Sequence, residues 1–125
     1  WGHGRFAIGF EVHLRVIHNV DPEVVKKLMF VVAQNHTLVL RVPTPIVRLE
    51  EFEADGLFFM LRAFISARRV REHRDIAAAI RIDLLKALRE QHIELALPQR
   101  VIHAFGDKMS TDNSTRSVLG FKLDT

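Results

Sequence analysis

At 125 residues and 48% hydrophobic side chains, the chain has apolar mass for one domain with a real core and no need of a staple. It contains no cysteine, which excludes a disulfide framework, a thiolate metal site and a cysteine nucleophile. Eighteen Lys and Arg against fifteen acids leave a net charge of +3, a well-mixed surface without the concentrated basic footprint of a nucleic-acid binder.

Residues 5–16 alternate, with Phe6, Ile8, Phe10, Val12, Leu14 and Val16 on one side and mainly polar or small residues on the other, which predicts a long half-buried strand. Asp21, Pro22 and Glu23 supply a cap, a proline suited to the first helical position and an acid at the positive helix end. Val24, Leu28, Val31 and Val32 then recur at helical spacing, so a helix is expected over 22–36. Two prolines in 41–45 remove amide donors and fix φ, giving an extended connector.

Val47 and Leu49 alternate with Arg48 and Glu50, Asp55-Gly56 is a turn signal, and 57–66 is rich in Leu, Phe and Ile, so the segment reads as a hairpin. Its second strand carries Leu57, Phe59, Leu61, Ala63 and Ile65 on one side but also Phe58, Met60 and Phe64 on the other. That strand is therefore expected to be central, with its second face covered. An Arg-rich stretch at 68–74 precedes a second amphipathic helix over 75–91, carrying Ile76, Ile80, Leu84 and Leu88. Ile93, Leu95 and Leu97 suggest a fourth strand, interrupted by Pro98 and followed by the apolar pair Val101 and Ile102.

The expected fold class is α+β: a ferredoxin-like βαββαβ sandwich with two helices on one face of an antiparallel four-stranded sheet, plus a C-terminal extension. Residues 1–103 are assigned to the domain and 104–125, polar with charges that cancel, to a flexible tail. No apolar run reaches the roughly 18–20 residues of a membrane span; the longest uncharged one, 28–40, is too short, so a soluble piece is expected. Trp1 is not a side chain before which a start methionine is trimmed, and the sequence reads as a fragment of a longer polypeptide.

Chemistry-bearing residues form no convergent set. The seven histidines are scattered, without a pair at i, i+4; His13 and His18 read as a face residue and a loop residue. Glu50, Glu51 and Glu53 beside the hairpin turn read as a charge ladder with Arg48 and Arg62 as cross-strand partners. No nucleophile motif or phosphate-binding glycine loop occurs, so neither catalysis nor a cofactor or metal site is expected. The face bearing Phe58, Met60 and Phe64 is expected to meet a neighbouring domain or subunit.

The string 42–47 (VPTPIV), then Glu51-Phe52, then Asp55-Gly56-Leu57 resembles the proline-rich connector and hairpin of the mechanosensitive channel of small conductance (MscS) family. Residues 93–103 (IELALPQRVIH) resemble its closing segment, and Asp21-Pro22-Glu23-Val24 its first-helix start. Two departures stand out: His92 occupies a position where the family usually has glycine, and Ala96 one where it often has proline, making the bend into the last strand less sharp.

The resemblance, over about residues 5–103, implies the C-terminal cytosolic domain of a bacterial inner-membrane channel. There the domain forms part of a vestibule wall in a homo-oligomer, typically a heptamer, and the membrane helices lie in a missing N-terminal part. It also implies that Leu97, Pro98, Gln99, Arg100, Val101, Ile102 and His103 belong to an oligomer interface, with no nucleic acid as partner. Two other readings compete: a ferredoxin-like regulatory or metal-sensing domain of a transporter such as a cation efflux protein, and an RNA-binding module using the Arg run, Phe58 and Phe64.

Overall fold

The computed structural model describes residues 6–97. Its sheet is built around β3 (Leu57–Ser66), flanked on one side by β1 (Ala7–Val16) and on the other by β2 (Ile46–Phe52), both antiparallel to it. The odd-numbered residues of β3 pair with the even-numbered residues of β1, Val12 with Leu61 and Leu14 with Phe59 among them, so the apolar alternation of both strands meets on one side. Two helices, α1 (Pro22–Asn35) and α2 (His73–Glu90), close that side: Val25, Met29 and Ala33 of α1 and Ile76, Ile80, Leu84 and Leu88 of α2 join the strand residues in one buried cluster.

Local chemistry places the helices where the sequence predicts. The Asp21 carboxylate accepts from the Glu23 amide at 2.9 Å, Pro22 takes the first helical position, and the Asp21 carbonyl accepts the first intrahelical bonds from Val24 and Val25. The Arg-rich stretch is not a loop. It forms a 3₁₀ helix, Ala67–Glu72, opened by Ser66, whose hydroxyl accepts from the Arg68 amide, and it runs directly into α2, which therefore begins at His73 and not at Asp75.

The end of α2 shows what happens where glycine was expected. His92 sits at φ 58°, the left-handed conformation, with its amide donating to Arg89 O at 3.1 Å and the Ile93 amide reaching back to Leu88 O at 2.9 Å. This pair of bonds is a Schellman cap, and Ile93 packs against the core as the cap's apolar contact requires. Histidine thus takes the capping conformation usual for glycine, at the cost of a side chain in a region that L-residues avoid. Replacement His92→Gly is expected to raise stability by about 0.5–1 kcal/mol in urea denaturation, the gain from relieved strain being offset in part by a freer unfolded chain.

The fourth strand differs from expectation. Beyond α2 the Ile17 amide donates to Glu94 O and the Ala96 amide to Arg15 O, around a single bridge between Val16 and Leu95. Among the described residues the sheet therefore has three strands, and Leu97 is already 69% exposed. The register gives a physical reason. Backbone groups of alternate residues point to opposite edges of a strand, so after Ile17 and Arg15 the next outward position on β1 is His13. In the sequence Pro98, two residues after Ala96, has no N–H with which to continue this alternation. The remaining residues of the proposed interface, 98–103, and the assigned tail lie outside the described residues.

The same corner explains Gly56. Glu53 and Gly56 exchange backbone bonds across the Ala54-Asp55 turn, and a Cβ built on Gly56 would stand 2.1 Å from the Val16 carbonyl oxygen and 2.8 Å from Ala96 Cβ. The glycine is there for close approach of the hairpin to the end of β1, where the chain from α2 also crosses. Because the obstructing atom is backbone, a methyl cannot be accommodated by a rotamer change. Gly56→Ala is expected to cost about 2–3 kcal/mol in the same denaturation assay.

Candidate functional site

The side of the sheet away from the helices is the candidate interaction face, and its residues come from alternate positions on three strands. β3 contributes Phe58, Met60, Arg62 and Phe64; β1 sets Arg15, His13, Glu11 and Gly9 opposite them in that order. β2 sets Arg48 beside Met60 and Glu51 beside Phe58, a register made possible by a bulge in which Glu50 is the additional residue.

Phe58, Met60 and Phe64 do lie together on this face, but not as a bare apolar patch. Met60 is only 5% exposed, enclosed in its row by His13 and Arg48. Phe58 is half-buried: the Arg15 guanidinium lies 4.1 Å from its ring centroid, and the His13 ring meets it edge-on at 5.1 Å. Phe64 is also half-buried, its ring stacked over Gly9, where an added Cβ would come within 3.1 Å of it. Long polar side chains thus cover an apolar strip with their stems and keep their charges in water.

The charges pair in three separate groups. Arg62 and His13 both donate to the Glu11 carboxylate, Arg15 Nε donates to Glu53 Oε1 at 2.9 Å, and the His18 ring donates to the Glu53 carbonyl at 2.8 Å. Arg48 bonds Glu50, two residues along its own strand, at 3.1 Å. Arg62 therefore pairs with Glu11 on β1 and not with the hairpin acids, while Arg48 stays with that group. His13 and His18 serve different acceptors instead of converging. The bond from Arg62, with that from His13 second, holds the Glu11 carboxyl below the usual carboxylate range.

Among the described residues no group of three or more His, Asp or Glu side chains is placed to hold a metal ion, and no helix is long and apolar enough to cross a membrane. What the face offers chemically is a rigid strip of buried and half-buried apolar groups bounded by Arg, His and Glu, a composition suited to contact with another protein surface. The sequence exposed the apolar residues of this strip. It did not expose their cover, because cross-strand partners depend on a register that only the folded sheet fixes.

Residues 8–95 match the family model described as mechanosensitive ion channel MscS, C-terminal. Among solved structures, the crystal structure of Helicobacter pylori MscS in its closed state is similar, with a TM-score of 0.61 and 19% sequence identity. The alignment covers 73% of this chain and 35% of that one, so the chain spans about a third of that protein's length, and at this identity the likeness is one of fold. A search of the curated proteins finds no match.

The Glu11 group yields a titration test. Because the folded-state pKa of Glu11 is lowered, its contribution to stability is present above the unfolded value and is lost as pH falls through the folded one. In Arg62→Gln the Glu11 side chain should titrate at higher pH than in the parent chain when followed by carboxyl NMR. An unchanged midpoint would mean that Arg62 does not set it.

Proposed function

The chain belongs to the mechanosensitive ion channel MscS family, in its C-terminal domain, and from that premise we propose that it builds part of the vestibule wall beneath a membrane pore and contributes to subunit assembly, without catalysis. The observation that carries this reading is the family match over most of the described residues. The fold likeness to a bacterial MscS supports it.

On this reading the full-length protein is a bacterial inner-membrane homo-oligomer, heptameric by the family resemblance, with the present domain on the cytoplasmic side and the tension-sensing helices elsewhere in the polypeptide. Tension acts by favouring whichever state occupies more membrane area, a property of the spanning part. The domain here supplies a stiff base against which that part moves. A short fourth strand at the Val16 end of β1, with the bridge at Leu95 as its beginning, belongs to the same proposal and leaves the sheet from Leu97 onward. The cation efflux reading is not favoured by the family match.

Two surfaces are assigned within this proposal. The strip of Phe58, Met60 and Phe64 faces an adjoining domain, its half-buried rings giving up their remaining water contact there. The segment from Leu97 through Pro98, Gln99, Arg100, Val101 and Ile102 to His103 leaves the domain's own sheet and pairs with copies from neighbouring subunits. Support comes from the exposure of Leu97 and the missing amide of Pro98. A closed ring of such strands leaves no free edge.

The test is removal of everything after Leu97 from the full-length protein, with subunit number read by native mass spectrometry. The expected result is loss of the defined oligomer or a lower dissociation threshold. Unchanged assembly and stability would show that the segment is a passive tail.

A further inference from the structure

We propose that the open edge of β1 is a docking groove for an extended acidic peptide segment of a partner protein, added as a strand along Gly9, Glu11 and His13 with its carboxylates over Arg74 and Arg81. The groove is a cleft between β1 and the first half of α2, with Gly9, Phe10 and Glu11 on one wall and Arg74, Ala77 and Arg81 on the other. Phe10 and Ala77 are its buried floor, while Gly9, Glu11 and both arginines are exposed at its rim.

The backbone supplies the first half of the recognition. Ile17 and Arg15 turn their peptide groups away from β3 toward Glu94 and Ala96, so the alternate residues His13, Glu11 and Gly9 turn theirs to the same edge. Among the described residues those groups have no partner, the last bond made to this edge being the one from Ala96. Such an edge accepts an extended peptide through main-chain bonds alone.

Charge supplies the second half and selects the occupant. Arg74 and Arg81 are two turns apart on α2 and neither has an ion-pair partner among the described residues. The one acid on the rim, Glu11, belongs to the opposite side of the sheet, its carboxylate taken by Arg62 and His13. Two turns of helix rise roughly 10 Å, and acids two to four positions apart on a strand lie roughly 7–13 Å apart, so alternate acidic residues can reach both guanidinium groups.

The other candidate occupants fit less well. A second copy docked β1 to β1 would bring like arginines together. The chain's own residues 98–125 hold four basic side chains against three acidic ones and begin with a proline where a donor is wanted.

The test uses the full chain and a fluorescent, end-blocked octapeptide of alternating Glu and Thr, with an alternating Lys and Thr peptide and an N-methylated Glu/Thr peptide as controls. We expect anisotropy to show saturable binding of the Glu/Thr peptide alone. The affinity should weaken at least tenfold in the Arg74→Glu, Arg81→Glu double variant, whose fold is checked by circular dichroism, and amide exchange should slow at Gly9, Glu11 and His13 in the complex.

No binding, equal binding of the Lys/Thr peptide, indifference to the double variant, or protection elsewhere would each overturn the proposal. It would also fall if those amides were already protected in the free chain and lost protection on truncation after Leu97, which would assign the edge to the chain's own segment. Concentration-dependent self-association protecting the same amides would assign it to a second copy and overturn the proposal likewise.

Discussion

Everything in this domain follows from a central strand that is apolar on both faces. β3 presents Leu57, Phe59, Leu61, Ala63 and Ile65 to one side and Phe58, Met60 and Phe64 to the other, and water must be kept from both. The helix side is solved by ordinary packing, with Met29, Ile80 and Leu88 fully buried against it. Among the described residues no helix lies on the second side, which is covered by flanking strands whose outward residues are long and charged. Arg15, His13 and Arg48 do there with aliphatic stems and a cation–π contact what a layer of leucines does opposite. Exposed ion pairs of this kind each contribute about 0–1 kcal/mol, so the strip is held by geometry and coverage more than by charge attraction.

Much of the fold was legible in the residues because the periodicities were clean. The alternation of Val12, Leu14 and Val16 and the Asp21-Pro22-Glu23 start act through local backbone preference, and both appear as the sequence predicts. The fourth strand was half legible. Ile93, Leu95 and Leu97 alternate correctly, but whether a strand can continue depends on which of its residues must donate to the neighbour, and that parity is a property of register. Only once Arg15 and Ile17 are known to be the outward positions does Pro98 become an obstacle.

The candidate face shows the same limit from the side of contacts. Composition alone marked Phe58, Met60 and Phe64 as too apolar for solvent. It could not say that Met60 is already enclosed, nor that Gly9 is small in order to carry the Phe64 ring, because both facts join residues of different strands. At His92 the resemblance marked the position but the residue type hid its conformation: a left-handed cap announces itself in sequence by glycine, and here the packing of Ile93 and two backbone bonds impose it on a residue that does not prefer it.

The bulge at Glu50 has a consequence for how copies of this sheet could add to one another. β2 is the other outer strand, and it is short, kinked by an extra residue and lined at that point by Glu50 and Glu51, features that discourage a new strand from pairing with it. Its one large apolar residue near the tip, Phe52, is 77% exposed but stands beside the turn, where the ladder is ending. Open-ended polymerisation by head-to-tail edge pairing requires two receptive edges on every copy, one to take the previous molecule and one to offer the next. With the β2 margin blunted, such a chain of sheets lacks the second receptive edge it needs. A sheet with one blunted edge can therefore keep the other receptive without seeding fibres.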